Sequence, residues 1–164
     1  TGECMKRKKR RKAIADGERK DEMMDAIKWA RMPDEAVKDA FSIREEVFVK
    51  EQGFQEEFDS TDDSCWHLIC YQNGCPTACA RLFTEGNGVW HAGRIAVRRD
   101  CRGTGIGAEI MAALEEKARE LGGQKIVLSA QCRVADFYIK QGYQKTANEY
   151  LDEYCPHVEM FKLL

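Results

Sequence analysis

The chain has 164 residues and a mass of 18.8 kDa, enough for one compact domain with its own core and too little for two. An apolar fraction of 43% and a charged fraction of 33% are those of a globular protein, and no apolar run approaches the roughly 18 residues of a membrane span. The net charge of −2 is uneven: nine Lys and Arg against three acidic residues put +6 on residues 1–20, leaving −8 on the rest.

Taken in order, residues 1–22 form a basic head and residues 23–164 the expected domain. The run Lys6–Lys12 reads as a solvated extension or as a contact with a second copy in a homodimer. Nucleic acid is the less favoured partner, because no basic surface stretch of the main body continues the run. The head lacks the order of a secretory signal, so a cytoplasmic protein without a membrane partner is expected. Ala26–Met32 reads as a short strand stopped by Pro33, and Asp34 as the cap of a helix. Val37, Ala40, Phe41, Val47 and Phe48 recur at helical spacing, and positions 37, 41, 44, 48 and 51 share one face. Two of those positions are Arg44 and Glu51, and charges on an apolar stripe must be paired or useful. Gly53–Ser64 is acidic and reads as a loop or irregular helix.

Trp66–Tyr71 and Thr77–Phe83 alternate like strands around Asn73-Gly74, a hairpin signal, and Gly86-Asn87-Gly88 leads into a third strand, Val89–Val97. A basic, glycine-rich loop follows, then a helix from Gly105 to Leu121 stopped by Gly122-Gly123. Lys125–Gln131 is a compact apolar strand and Arg133–Gln141 a short helix. Strands Tyr143–Ala147 and His157–Leu163, joined by an acidic loop, complete the chain. The order β-α-β-β-β-α-β-α-β-β implies an α/β fold with a sheet of mixed direction. Eight cysteines include no C-x-x-C pair, so free thiols are expected and no metal site.

The segment Val97-Arg98-Arg99-Asp100-Cys101-Arg102-Gly103-Thr104-Gly105-Ile106-Gly107-Ala108 carries the chemistry. A strand ends, glycines follow at alternate positions, and an amphipathic helix begins. Unpaired amides at such a helix start hold a diphosphate, and glycines let it approach. The segment also fits a loose G-x-G-x-x-A dinucleotide pattern, but the next strand ends in Ser129-Ala130-Gln131 without the acid that a ribose needs. A phosphate-binding P-loop would need G-K-[ST], which is absent.

With R/Q-x-x-G-x-G/A matched at Arg102, Gly105 and Gly107, the sequence resembles the GNAT superfamily of N-acetyltransferases over residues 26–164. The resemblance implies a single α/β domain with a mixed, mostly antiparallel central sheet flanked by helices, and acetyl-CoA as co-substrate. Ile95, Ala96 and Val97 would meet the pantetheine arm, and Arg102, Gly103, Thr104, Gly105, Ile106, Gly107 and Ala108 the diphosphate. A second segment, from Gln131 to Tyr143, is similar to the family's N-x-x-A-x-x-x-Y-x-x-x-G-F stretch with Gln for Asn and Tyr for Phe. It adds Gln131, Phe137, Tyr138 and Lys140 to the cofactor set, and Tyr138 as the acid that protonates the departing thiolate. Arg44-x-x-Val47-Phe48-Val49-x-Glu51-Gln52 with Asp59, Asp62 and His67, and the late Tyr150-x-x-x-x-x-Pro156-His157-x-x-Met160, resemble ElaA-like members. That branch would place Arg44, Glu51, Asp59, His67 and His157 at the acceptor.

The chemistry implied is attack of an amine on a thioester. An alkylamine is almost wholly protonated at neutral pH, so a base must take a proton. Glu51 and His67 head the candidates, with Asp59 and His157 behind them. Glu51 on an apolar stripe is expected to titrate high, and His67 has the side chain suited to neutral pH. Acidic residues between 45 and 63 favour a cationic, small-molecule primary amine as acceptor. A non-catalytic acyl-CoA-binding regulator is the alternative.

Overall fold

A computed structural model of the chain describes residues 26–164. The basic run Lys6–Lys12, and the boundary expected between residues 22 and 23, lie outside the described residues.

Among the described residues seven strands form one sheet in the order β1-β2-β3-β4-β5-β7-β6. They are β1 (Ala26–Ala30), β2 (Trp66–Gln72), β3 (Cys75–Gly86), β4 (Val89–Val97), β5 (Lys125–Gln131), β6 (Gln144–Asp152) and β7 (Cys155–Leu163). Only β4 and β5 run parallel; all other neighbours are antiparallel. Asn73 and Gly74 at φ 50° and 71° make the β2–β3 turn whose left-handed pair matches the twist of the strands.

Helices cover both faces. Helix α1 (Val37–Arg44) runs directly into a π-helical segment, Glu45–Glu51. It packs Val37, Ala40, Ile43 and Val47 against Ile69, Cys79 and Ala96 of the sheet. Helix α2 (Ile106–Glu120) buries Ile106, Ile110, Met111, Leu114 and Ala118 on the opposite face, against Leu68, Ala80, Trp90, Ile126 and Met160. The short α3 (Ala135–Lys140) adds Ala135 and Tyr138 to the same cluster. Three-, four- and seven-residue spacing along α2 puts those apolar side chains on one side, which is why it lies flat on the sheet. No helix among the described residues is long and apolar enough to cross a membrane.

Three expectations need correction. The first strand ends at Ala30 rather than Met32, and the helix starts at Val37, since the Asp34 carboxylate bonds the Ala36 amide within a preceding turn. Residues 148–155 are not a loop: β6 runs to Asp152 and β7 begins at Cys155, with Glu153 and Tyr154 as the turn. Pairing with β7 overrides the polar composition of β6, which lies at the edge of the sheet. Third, positions 44 and 51 do not share a face. A π-helical turn takes more residues than an α-helical one and so rotates the later side chains about the helix axis. Arg44 therefore points into the protein, while Glu51 emerges beside Arg102.

Cys65, Cys70, Cys79, Cys101 and Cys155 are buried and Cys132 half-buried, all six outside any disulfide, as expected; Cys75 is disulfide-bonded and departs from that reading.

Candidate functional site

The sheet opens at its centre. Strands β4 and β5 pair only from Val89–Lys125 to Ala92–Leu128. Beyond that they part, and among the described residues β4 from Gly93 to Val97 has no strand partner on its β5 side. A bulge marks the spot: Cys79 faces Ala96 and Arg81 faces Gly93, so Ala80 opposes both Arg94 and Ile95. Arg94 takes the extra place at φ 50°. The bulge bends the strand and swaps its faces. Before it Trp90 and Ala92 face the α2 side; after it Ile95 and Val97 do, and Ala96 faces α1.

A cavity of about 570 Å³ occupies the gap, a usual size for a small-molecule site. One wall is the turn from Cys101 to Ala108. Gly103 and Gly105 take φ 77° and 85°, conformations that a side chain resists, and a Cβ on either would meet nothing within 4 Å. The backbone is therefore open at the start of α2, where the first-turn amides have no partner within the helix. Gly107 is different: its Cβ would stand 3.0 Å from the Phe137 ring, so a small residue lets α2 and α3 close together. Main-chain amides, an open approach and arginines on the wall fit a diphosphate.

Arg102 is already engaged. Its Nε donates to the Val97 carbonyl at 2.9 Å, and its two terminal nitrogens reach Glu51 at 2.9 and 3.1 Å. The hydrogen bond from Arg102 holds the Glu51 carboxyl below its ordinary range despite some burial. The expectation that Glu51 titrates high is thereby reversed: the π-helical turn delivers it to a guanidinium, not to an apolar surface.

Tyr138, only 8% exposed, forms part of the cavity wall on the α2 side, and burial pushes its phenol up to about 12. Its hydroxyl has no hydrogen-bond partner among the described residues. Gln131 also lines the cavity, but its amide is shared between Gln52, to which it donates at 2.8 Å, and Arg133, from which it accepts at 2.9 Å. Ile95, Ala96, Val97, Ile106, Ala108, Phe137 and His157 complete the expected residues that the cavity brings together.

Five expected residues lie away from it. Thr104 turns its hydroxyl back to the Cys101 carbonyl, and Lys140 is exposed on α3. Arg44, 1% exposed, donates to Glu57 at 2.9 Å and to both oxygens of Asp62. Asp59 pairs with Arg81 at 2.7 Å and caps the 3₁₀ turn Ser60–Asp63. His67 is fully buried, with Nε2 2.9 Å from the Asp62 carbonyl. Burial lowers its pKa and holds it neutral.

At the far end of the cavity stand Glu56 and Glu57, from the acidic segment expected on the acceptor side, together with Phe54, Arg94, Asp152 and Glu153, which sequence reasoning missed. The Glu153 carboxylate accepts from the amides of Gln55 and Glu56, at 2.9 and 3.2 Å, and the Tyr154 hydroxyl donates to the Gln52 carbonyl. The β6–β7 turn is thus tied to the segment after α1, about one hundred residues away in sequence. The positive φ of Glu153 (52°) is the only local trace, and it belongs to structure rather than composition.

Residues 30–164 match the family model described as an acetyltransferase (GNAT) domain. The uncharacterized N-acetyltransferase YjcF of Bacillus subtilis is 38% identical over 132 residues, 79% of this chain and 94% of YjcF. An acyl-CoA N-acyltransferase from Pseudomonas aeruginosa has the same fold with a TM-score of 0.73 and 26% identity, over 84% of this chain and 98% of that one. Escherichia coli ElaA, at 22% identity and a TM-score of 0.74 over 84% of this chain and 99% of its own, shares the fold.

Proposed function

The chain belongs to the GNAT acetyltransferase family, and from that premise we propose that it moves an acetyl group from acetyl-CoA to the primary amine of a small, cationic acceptor. The family is one of acyl-CoA-dependent acyltransferases; the acyl group and the acceptor are the finer reading.

One observation carries it. The parting of β4 and β5 joins the start of α2, on one face of the sheet, to the α1 face through a single cavity. A donor held at the α2 amides extends along the free edge of β4, where Ile95 and Val97 offer main-chain groups to an extended arm. An acceptor reaches the same gap from the α1 side. The bound donor supplies an activated thioester carbonyl. The chain holds that carbonyl where a β4 amide can bond its oxygen as charge develops there, and the buried Tyr138 phenol, neutral at physiological pH, gives the leaving sulfur a proton.

The charge of the acceptor end supports a cation. Glu51 is paired with Arg102, and Glu57 with Arg44 and Arg94. Glu56, Asp152 and Glu153 have no cationic partner among the described residues, and all three line the cavity. An ammonium group entering there meets carboxylates that lack a cationic partner among the described residues. Arg44, Asp59, Arg81 and His67 form the floor beneath this end rather than its lining.

The test is an assay of the purified protein with acetyl-CoA against monoamines, polyamines, amino sugars and basic peptides, with release of free thiol as the readout. Acetylation of cationic amines is expected. Gly105→Glu, which puts a charged side chain into the diphosphate approach, should bind no CoA. Thiol release no faster than background hydrolysis with every amine would refute the reading.

A further inference from the structure

The geometry points to His157 as the general base of the transfer, with Tyr150 as the residue that positions it; the inference rests on the acetyl-transfer reading and deepens it.

The tautomer is set by one contact. The His157 Nδ1 lies 2.9 Å from the Cys155 carbonyl, which can only accept. Nδ1 therefore carries the hydrogen, and in the neutral ring Nε2 is left with the lone pair. Nε2 has no hydrogen-bond partner among the described residues, and His157 lines the cavity while only 7% exposed. The ring cannot drift. Tyr150, directly across on β6, stacks on it at 6.0 Å and 20°, and Phe54 closes the edge at 6.5 Å. The Tyr150 hydroxyl is itself bonded to that of Ser129 on β5.

Position in the sheet adds an independent argument. His157 faces Gln131 across β5 and β7, at the end of β5 where it has left β4. Its neighbours Val158 and Met160 enter the α2-side core, so His157 projects to the α1 side, from which the amine comes. Tyr138 stands on the α2 side with the donor. Base and acid thus flank the gap from opposite faces, as an attacking nitrogen and a departing sulfur require.

The other three bases expected from the sequence are each engaged elsewhere. Glu51 is held by Arg102 and Asp59 by Arg81. His67 bonds the Asp62 carbonyl through Nε2, which puts its lone pair on Nδ1, a buried atom without a partner, in the core.

The step balances. The ammonium first gives one proton to His157 Nε2, which passes it through water to solvent; the neutral nitrogen then bonds the thioester carbonyl carbon, the C–S bond breaks, the nitrogen's next proton passes to Nε2, and Tyr138 gives its proton to sulfur. Proton exchange through water then restores neutral imidazole and phenol, and the products are the amide and free CoA.

His157→Phe keeps an aromatic ring between Tyr150 and Phe54 but removes the nitrogens; His157→Gln keeps polarity without a comparable base. Both are compared with the unmodified protein in CoA binding by calorimetry and in kcat/KM with two probe amines, butylamine and the weakly basic methoxyamine, which is neutral before it binds. The expected result is CoA affinity within about twofold of the parent in at least one variant. That variant should lose roughly 100-fold with butylamine and clearly less with methoxyamine. Transfer retained by His157→Phe, or equal losses with both amines, overturns the assignment. If the unmodified protein acetylates neither amine nor any member of the wider panel, the acetyl-transfer reading falls and takes this inference with it. Transfer by the parent that survives in the variants removes His157 alone.

Discussion

Tyr138 and Glu51 show how the same type of argument can strengthen one residue and redirect another. Tyr138 keeps its proton because desolvation disfavours the phenolate, and it lines the cavity with no hydrogen-bond partner for its hydroxyl among the described residues. Under the proposed acetyl transfer, these properties suit an acid and not a base. Tyr138→Phe should lower kcat by roughly 100-fold or more and leave CoA affinity unchanged; steady-state kinetics beside calorimetry separates the two. For Glu51 the apolar stripe implies a raised pKa, yet two hydrogen bonds from Arg102 stabilise its anion. It ties the π-helical segment to the glycine-rich turn at Arg102, a link between two walls of the cavity.

At the scale of elements, α1 and the segment after it are held down by charge as much as by apolar contact. Arg44, Arg81 and Arg94 interlock with Glu57, Asp59 and Asp62, three cations against three anions. Removing one member of a buried pair leaves the other uncompensated, at a cost of about 3–5 kcal/mol. Asp62 is the hub. Burial opposes its charge, but Arg44 and Arg81 outweigh that and bring its pKa from 3.8 to about 2. A depressed folded pKa gives stability that is complete above the unfolded value and is lost as pH falls through the folded one. Asp62 should therefore contribute about 2 kcal/mol above pH 4, vanishing towards pH 2. Denaturant titrations of the parent and Asp62→Asn across that window should show the gap between them closing on acidification. A gap that stays constant would mean that the arginines do not act on the carboxylate charge.

For the whole molecule, the parted strands are a structural weakness as well as a site. Four register pairs between β4 and β5 hold the two halves of the sheet together, and beyond them lies the cavity. A donor lying in the gap bridges both halves and binds only the folded state. At 100 times its Kd, CoA should add about 2.7 kcal/mol, which for a chain of this size raises Tm by roughly 5–10 °C. Differential scanning calorimetry with and without CoA checks this, and Gly105→Glu should show no shift.

The glycine-rich turn, the apolar periodicity of α2 and the strands Val89–Val97 and Lys125–Gln131 were legible in the sequence because each depends on neighbours within a few residues. Glycine spacing and helical period determine an open helix start wherever the chain goes next. The site's other half was not legible in this way. Whether Arg44 meets substrate or Asp62, whether Glu51 or His157 is left with a lone pair to use, and whether Glu153 reaches Gln55 depend on a bulge at Arg94, a π-helical turn and a hairpin docked from about one hundred residues away. Local sequence determined which groups could do the chemistry; long-range packing, by pairing some charges and leaving others open, decided which of them are free to do it.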